Sequence, residues 1–485
     1  MTDIEALRPP SVDRQLHEQG KSYQTVTTKS TYGHSNSNGL LHKLLRLGRV
    51  EEHGIEPLPL GERTSTRYFN AFTIWCSMNA NILPSLALWP QSPRLFLRHS
   101  LLHATLNISP GFSRNAESQN GRYLVSVPVV LNLATLTGFC VIICVVGGQC
   151  LSAVTHGALS PDLGIVLIAL LSLFISFYGF KVLHFYETHA FIPAVIAIVI
   201  ATGCGGSRLA EQAEMAPATA PAILSFGMIV ASYMIPWACI ASDLTTYFDP
   251  KVRGASYRIF TYSFLGLILP TLPLMTLGSA IGGAITNVPE WQEGYDKTLV
   301  GGVLAAMLSP AGGFGKFVVI LAFTLFGNVS GTLYAITLNF QTLVPWLVLV
   351  PRYVFSVIVT AIMIPVAITA ADDFFLNLET FVALIGYWSA SFVGIVVVEH
   401  FLFRKGDAKL YDHHVWNIPS CLPGGAAALG AGILSFGLVI PCMAEAWWTG
   451  PLAETTGDIG FEIAFILSTL FYVPLRYLEQ KILHR

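Results

Sequence analysis

The chain has 485 residues, 53% of them hydrophobic and only 12% charged, against roughly 25% charged in a soluble domain. With a mean hydropathy of +0.59, a soluble fold would need an unusually apolar surface, so the composition points to a polytopic membrane protein. The net charge of −2 carries no basic excess suited to nucleic acid. The eight cysteines show no zinc or disulfide spacing.

Residues 1–67 are polar and hold nine Lys/Arg. No apolar run follows Met1, so no cleavable signal peptide is expected. The stretch reads as a disordered cytoplasmic tail, within which "LLHKLLRLGRVEEHG" suits a short amphipathic helix. Apolar runs near the roughly 20 residues that span a bilayer then fall at 69–89, 124–154, 163–183, 190–206, 221–242, 259–285, 316–339, 350–370, 380–402, 424–444 and 458–478, eleven in all.

Loop charges orient these spans. The loops at 155–162, 371–379 and 445–457 hold no Lys or Arg, and 286–302 has Lys297 against three acids. Lys251, Arg253 and Arg258, then Arg404, Lys405 and Lys409, then Arg476, Lys481 and Arg485 mark the alternate side. Rich and poor loops alternate, so the C-terminus is expected in the cytoplasm, and the span starting at 124 begins there too. A cytoplasmic N-terminal tail then requires an even number of crossings before 124, and only one strong span precedes it. The segment 90–121 ought to supply the other, but Arg94, Arg98, His99 and Arg114 punctuate it. Each Arg at mid-membrane costs roughly 2.5–3.5 kcal/mol on insertion scales, so the second helix is weak or missing; the alternative is an N-terminal tail outside, against its charge. The expected organisation is a tail (1–67), a transmembrane domain (68–480) with an anomalous stretch at 90–121, and a short cytoplasmic tail (481–485).

Two spans carry helix-breaking chemistry at their centres. "CSMNANILPS" (76–85) places Asn79, Asn81, Pro84 and Ser85 inside the first span, and "SYMIPWACIASDLTTYF" (232–248) places Pro236 and Trp237 inside another. Irregular backbone survives at membrane depth only where it lines a protein-enclosed cavity. Allowing for the missing span, the two breaks are five helices apart. That spacing is the pattern of transporters built from inverted five-helix repeats, whose discontinuous helices hold substrate near the midplane. The competing reading is a pair of ordinary proline kinks.

Several motifs resemble those of a known family. "VEEHGIEPLPLGERTSTRYFNAFTIWCSMNANIL", "VVGGQCLSAV", "GFKVLHFYETHAFIP" and "PWACIASDLTTYF" are similar, in order, to the fungal purine–cytosine permeases of the nucleobase–cation symporter family. The resemblance runs from about residue 50 to the C-terminus, outside 90–121. It implies an all-α inverted-repeat fold of five plus five helices with two more at the C-terminus, plasma-membrane location, and proton-driven uptake of nucleobases or related rings.

The resemblance also implies site residues. Trp237 matches the family's binding tryptophan of the sixth helix, and its place one residue after a mid-span proline suits a stacking platform. Phe139 matches a second aromatic on the third helix, but Ile143, one turn on, stands where the family carries an amide. That departure weakens a cytosine or adenine assignment. Gln149 belongs to a packing motif, and Gly147 and Gly148 suit close helix approach. Asn328 matches a substrate-side asparagine of the eighth helix, and Thr332 stands where a second is found; interhelical hydrogen bonding is the equal alternative for Asn328. Asn79 and Ser85 of the first break are further candidates. Asn and Gln amides both donate and accept, which suits reading a heterocycle edge.

Glu187, between His184 and His189, is the proton-coupling candidate, against the reading of a solvated acid at a span junction. Asp243 is a candidate for a gate or for an arginine partner, while Glu399 and His400, before "RKGD", are expected at the interface. No nucleophile–base constellation, phosphate loop or metal motif stands out, so no catalytic residue, cofactor or metal is expected. The partners are a small ring, a proton and lipid, with no nucleic acid. Pyridoxine or a nucleoside is an alternative cargo, and a non-transporting sensor or decayed paralogue an alternative role.

Overall fold

The computed structural model describes residues 65–86, 124–155, 157–177, 179–214, 217, 219–241, 245, 248–249, 251–343, 347, 350, 352–407 and 423–483. The expected N-terminal tail up to residue 64, the segment 90–121 and Asp243 lie outside them.

Each of the eleven apolar runs becomes helix, because an apolar backbone in lipid has only its own carbonyls to hydrogen-bond. The first run divides into α1 (Phe69–Asn79) and α2 (Leu83–Leu86). There follow α3 (Ser126–Val154), α4 (Pro161–Phe177), α5 (Gly179–Gly205), α6 (Ala220–Met234) and α7 (Ala255–Ala284). After α8 (Pro289–Leu308) come α9 (Phe317–Leu343), α10 (Arg352–Ala370), α11 (Phe374–Val398), α12 (Ala426–Cys442), the single turn α13 (Ala453–Thr456) and α14 (Gly460–Leu483). Among the described residues, eight helical segments are long and apolar enough to cross a membrane, and α4 and α12 are shorter apolar helices. The last helix continues to Leu483. Phe174, Val199, Ile362 and Ile433 project from the outside of the bundle, where lipid, rather than water, accounts for exposed apolar side chains.

The core is built on α3, which packs most extensively on α9 and also meets α4, α8 and α10. Its glycines set the closest approach. A Cβ on Gly148 would lie 2.7 Å from the Pro161 carbonyl oxygen, and one on Gly164 would lie 2.8 Å from the Cα of Gly148. The double glycine of the "VVGGQ" motif therefore works as a packing device between α3 and α4, as expected. Buried polar pairs fix the register between helices: Asn132 donates to Asn339 (3.3 Å), and the Trp388 indole donates to Thr135 (3.1 Å).

Three features depart from the sequence reading. Residues 286–302, read as a loop, supply most of α8. Its backbone bends at Thr298 and at Leu299 (φ 47°), and its second half packs on α3, with Gly301 against the Gln149 carbonyl. Three acids concealed this element, because they lie in its first half while only the second half is apolar. Glu187, read at a span junction, falls on continuous helical backbone inside α5. Glu399, expected at the interface, is 1% exposed. It accepts hydrogen bonds from Arg404 (3.1 Å), Tyr472 (2.9 Å) and Arg476 (3.3 Å). Arg476 also donates to Glu479 (2.7 Å), and Glu479 accepts from the Ala426 backbone N–H (3.0 Å) at the start of α12. The cluster ties α11, α12 and α14 together, and no local pattern in the sequence links residue 399 to 476.

Candidate functional site

The α1–α2 break frees backbone groups that must find partners inside the protein. Asn81 closes the turn on itself, donating to the Met78 carbonyl (2.7 Å) and accepting from the Leu83 N–H (2.8 Å). Asn79 donates from its amide to the Trp75 carbonyl (3.0 Å). Both asparagines are fully buried. The Asn328 amide reaches across from α9 to the same Met78 carbonyl (2.9 Å), and the Thr332 hydroxyl, one turn on, donates to Asn328 Oδ1 (3.4 Å). In this state Asn328 makes the interhelical bond offered as its alternative role, and it makes it at the break itself.

The second break follows α6. Residues Ile235–Cys239 tighten into a 3₁₀ turn, as expected where Pro236 removes one backbone donor. Trp237, Tyr233 and Trp75 are all buried. Trp237 stacks on Phe139 of α3, with ring centroids 5.7 Å apart and planes 18° from parallel. Trp75 meets Trp237 edge-on at 6.2 Å. Tyr233 and Phe381 close around Phe139 edge-on at 6.4 and 5.5 Å. The two interruptions thus meet in one aromatic cluster inside the bundle, facing each other and not lipid.

Of the residues singled out from the sequence, Trp237 and Phe139 touch each other, while Asn79, Asn328 and Thr332 cluster around the α1–α2 break. Ile143 is fully buried one turn beyond Phe139. The side chains of Ser85 and Glu187 lie outside the described residues, although α5, which carries Glu187, packs on both α1 and α9. Sequence reading missed Trp75, Tyr233 and Phe381, since an aromatic in an apolar span has no pattern to separate site from core. The i, i+4 spacing of Tyr233 and Trp237 was the available signal.

Arrangements of this kind suit a planar ligand. Opening the Phe139–Trp237 stack to about 7 Å, twice a van der Waals stacking distance of roughly 3.5 Å, admits one ring between them. Among the described residues no group of three or more His, Cys, Asp or Glu is placed to hold a metal ion.

Comparison with known proteins shows the family and the fold. Residues 115–417 match the family described as a permease for cytosine/purines, uracil, thiamine and allantoin. The chain is 30% identical over 482 residues to the purine-cytosine permease fcyB of Emericella nidulans, covering 94% of each chain. It is 24% identical to the vitamin B6 transporter TPN1 of Saccharomyces cerevisiae, over 89% of this chain and 87% of that one. Its fold superposes with a TM-score of 0.66 on Mhp1, a nucleobase-cation-symport-1 family transporter solved in a closed conformation with bromovinylhydantoin bound, at 16% identity and covering 88% of this chain and 96% of Mhp1. The all-α inverted-repeat architecture is therefore as expected, and the chain belongs to the cytosine/purine permease family of membrane transporters.

Proposed function

We propose that the protein takes up a small planar heterocycle of the nucleobase type, coupled to protons, by alternating access to a cavity between the two backbone breaks. One observation carries this reading: the buried Trp237–Phe139 stack sits where the two interrupted helices meet. A ring entering the stack gains two faces for the one contact it displaces, and stacking of a base on an aromatic contributes about 1–3 kcal/mol in nucleic-acid sites.

Asn79, Ser85, Asn328 and Thr332 supply polar groups near the ring edge. Asn328 gates as well as binds in this scheme, because engaging substrate releases the Met78 carbonyl it now holds. Glu187 on α5 carries the coupling proton. The transporter domain (68–480) lies in the plasma membrane, with both tails (1–67 and 481–485) cytoplasmic. A pyridine-type ring is the second reading. It is favoured by Ile143, which puts a methyl-bearing side chain where a base-reading amide is implied, and by the similarity to a vitamin B6 transporter.

The test is uptake of radiolabelled cytosine, adenine, hypoxanthine and pyridoxine by cells expressing the full chain, at two external pH values. The expected result is uptake that rises on the acid side and is lost in Trp237→Ala. Uptake indifferent to pH and to Trp237→Ala overturns the mechanism.

A further inference from the structure

The two breaks have a matching pair of helical turns. Trp75 and Asn79 are four residues apart on the last turn of α1, and Tyr233 and Trp237 are four apart across the second break. Each of the four side chains carries a buried polar atom with no hydrogen-bond partner from the protein: Trp75 Nε1, Asn79 Oδ1, Tyr233 Oη and Trp237 Nε1. Their exposures are 2%, 0%, 1% and 3%. Other polar groups at the first break are satisfied, including the Asn79 amide, both ends of Asn81 and the Asn328 amide, while Asn132 Oδ1 and Gln149 Oε1 on α3 and Ser172 Oγ on α4 are also buried without a partner. Leaving a buried donor or acceptor unmatched is costly, and phenylalanine would fill positions 75 and 233 without that cost. The polar tips of Trp75 and Tyr233 therefore call for a partner that the protein itself does not supply.

The chemistry of the four atoms is unbalanced. An indole N–H only donates, a phenol donates or accepts, and an amide oxygen only accepts. With Trp237 taken up by stacking, the Trp75 indole and the Tyr233 phenol against the Asn79 amide oxygen leave the edge richer in donors than in acceptors. On α3, the position where the family resemblance implies an amide is Ile143, which adds no acceptor. Among these unpartnered atoms an amino-substituted ring finds only the Asn79 amide oxygen and the Tyr233 phenol as acceptors, whereas oxo groups and unprotonated ring nitrogens find the free donors of Trp75 and Tyr233.

Resting on the transporter reading above, we infer that Trp75 and Tyr233 are specificity-determining residues that donate to the substrate edge, and that the substrate is an uncharged oxo-substituted ring of the oxopyrimidine or oxopurine class. Trp237 stacks the ring while Trp75 and Tyr233 select its edge. A site built to hydrogen-bond a substrate group discriminates strongly against an analogue that cannot make the bond.

The test uses the purified full-length protein in lipid nanodiscs and the paired probes uracil against cytosine and hypoxanthine against adenine. Binding is measured for wild type, Trp75→Phe, Tyr233→Phe, Trp75→His and Trp237→Ala. Wild type is expected to favour the oxo member of each pair about tenfold. Trp75→Phe and Tyr233→Phe should each weaken oxo-ring binding by about tenfold and change amino-ring binding by less than about twofold. Trp75→His, which keeps a ring N–H, should retain part of the preference. A wild type that favours the amino rings, or Phe variants that shift both members of a pair equally or neither, overturns the inference. If Trp237→Ala abolishes all binding while the Phe variants remain silent, this inference fails alone. If wild type binds neither member of either pair, the transporter reading fails and this inference falls with it.

Discussion

At the scale of single residues, Asn328 ties α9 to the first break through one amide. Its bond to the Met78 carbonyl (2.9 Å) satisfies a group that the α1–α2 break sets free. Asn328→Ala leaves that carbonyl with Asn81 alone and is expected to cost about 0.5–1.5 kcal/mol, seen as a lower melting temperature of the detergent-purified protein together with lost uptake. Unchanged melting would show that the bond does not secure the break. Glu445 behaves differently. It lies in the two-stranded hairpin β1 (Ala444–Glu445) and β2 (Trp448–Thr449) between α12 and α14. It is 7% exposed with Oε1 unpartnered. Burial, helped by the nearby Asp458 carboxylate, raises its pKa from 4.5 to about 8, and burial raises Asp458 as well. Between these two values the folded protein keeps a proton that the unfolded chain releases, so stability falls as pH rises from 4.5 through about 8. Melting temperatures across that window should fall for wild type and fall less steeply for Glu445→Gln, where the raised Asp458 carboxyl group remains. A wild-type profile that is flat or rises toward alkaline pH contradicts the assignment.

At the scale of elements, the bundle relies on close backbone approach in one place and on a buried charge cluster in another. Gly148→Ala puts a methyl 2.7 Å from the Pro161 carbonyl. Because backbone cannot yield as a side-chain tip does, the expected cost is about 1–3 kcal/mol, read by melting of the purified variant; wild-type melting would mean that α4 shifts freely. Glu399→Gln removes the charge that Arg404 and Arg476 share at 1% exposure. Breaking a buried pair in this way costs about 3–5 kcal/mol, whereas Lys297→Ala on α8, in an exposed pair with Glu293, should change stability by less than about 1 kcal/mol. Equal effects from the two substitutions would refute the structural weight given to the cluster. The elements also mark how far the sequence could be read. Eleven apolar runs became helices because lipid leaves an apolar backbone no other choice, and the paired breaks were visible as polar residues and proline where none belonged. Helix α8 escaped because its first half is acidic. The Glu399 cluster escaped because its members are brought together only by α11 and α14 packing.

For the whole molecule, the central idea is that two interruptions, related by internal repetition, line one cavity. Position and family resemblance together pointed to Trp237, Phe139 and Asn328, and the structure stacks Trp237 on Phe139 and bonds Asn328 to the first break. Trp75 and Tyr233 were not, since what distinguishes them from core aromatics is an unmatched polar tip that only three-dimensional packing exposes. On the coupling role proposed for Glu187, its proton acts through α5, which packs against both α1 and α9. Uptake by Glu187→Gln should therefore lose its dependence on external pH while substrate binding persists; a pH profile identical to wild type would remove Glu187 from coupling. The most direct measurement is a cryo-electron microscopy map of the full-length protein at saturating hypoxanthine or uracil. Planar density inserted between Trp237 and Phe139, bordered by residues 79–82 and 235–239, is the expected result. Ligand density elsewhere in the bundle, with that aromatic pair still stacked face to face, would contradict the shared cavity.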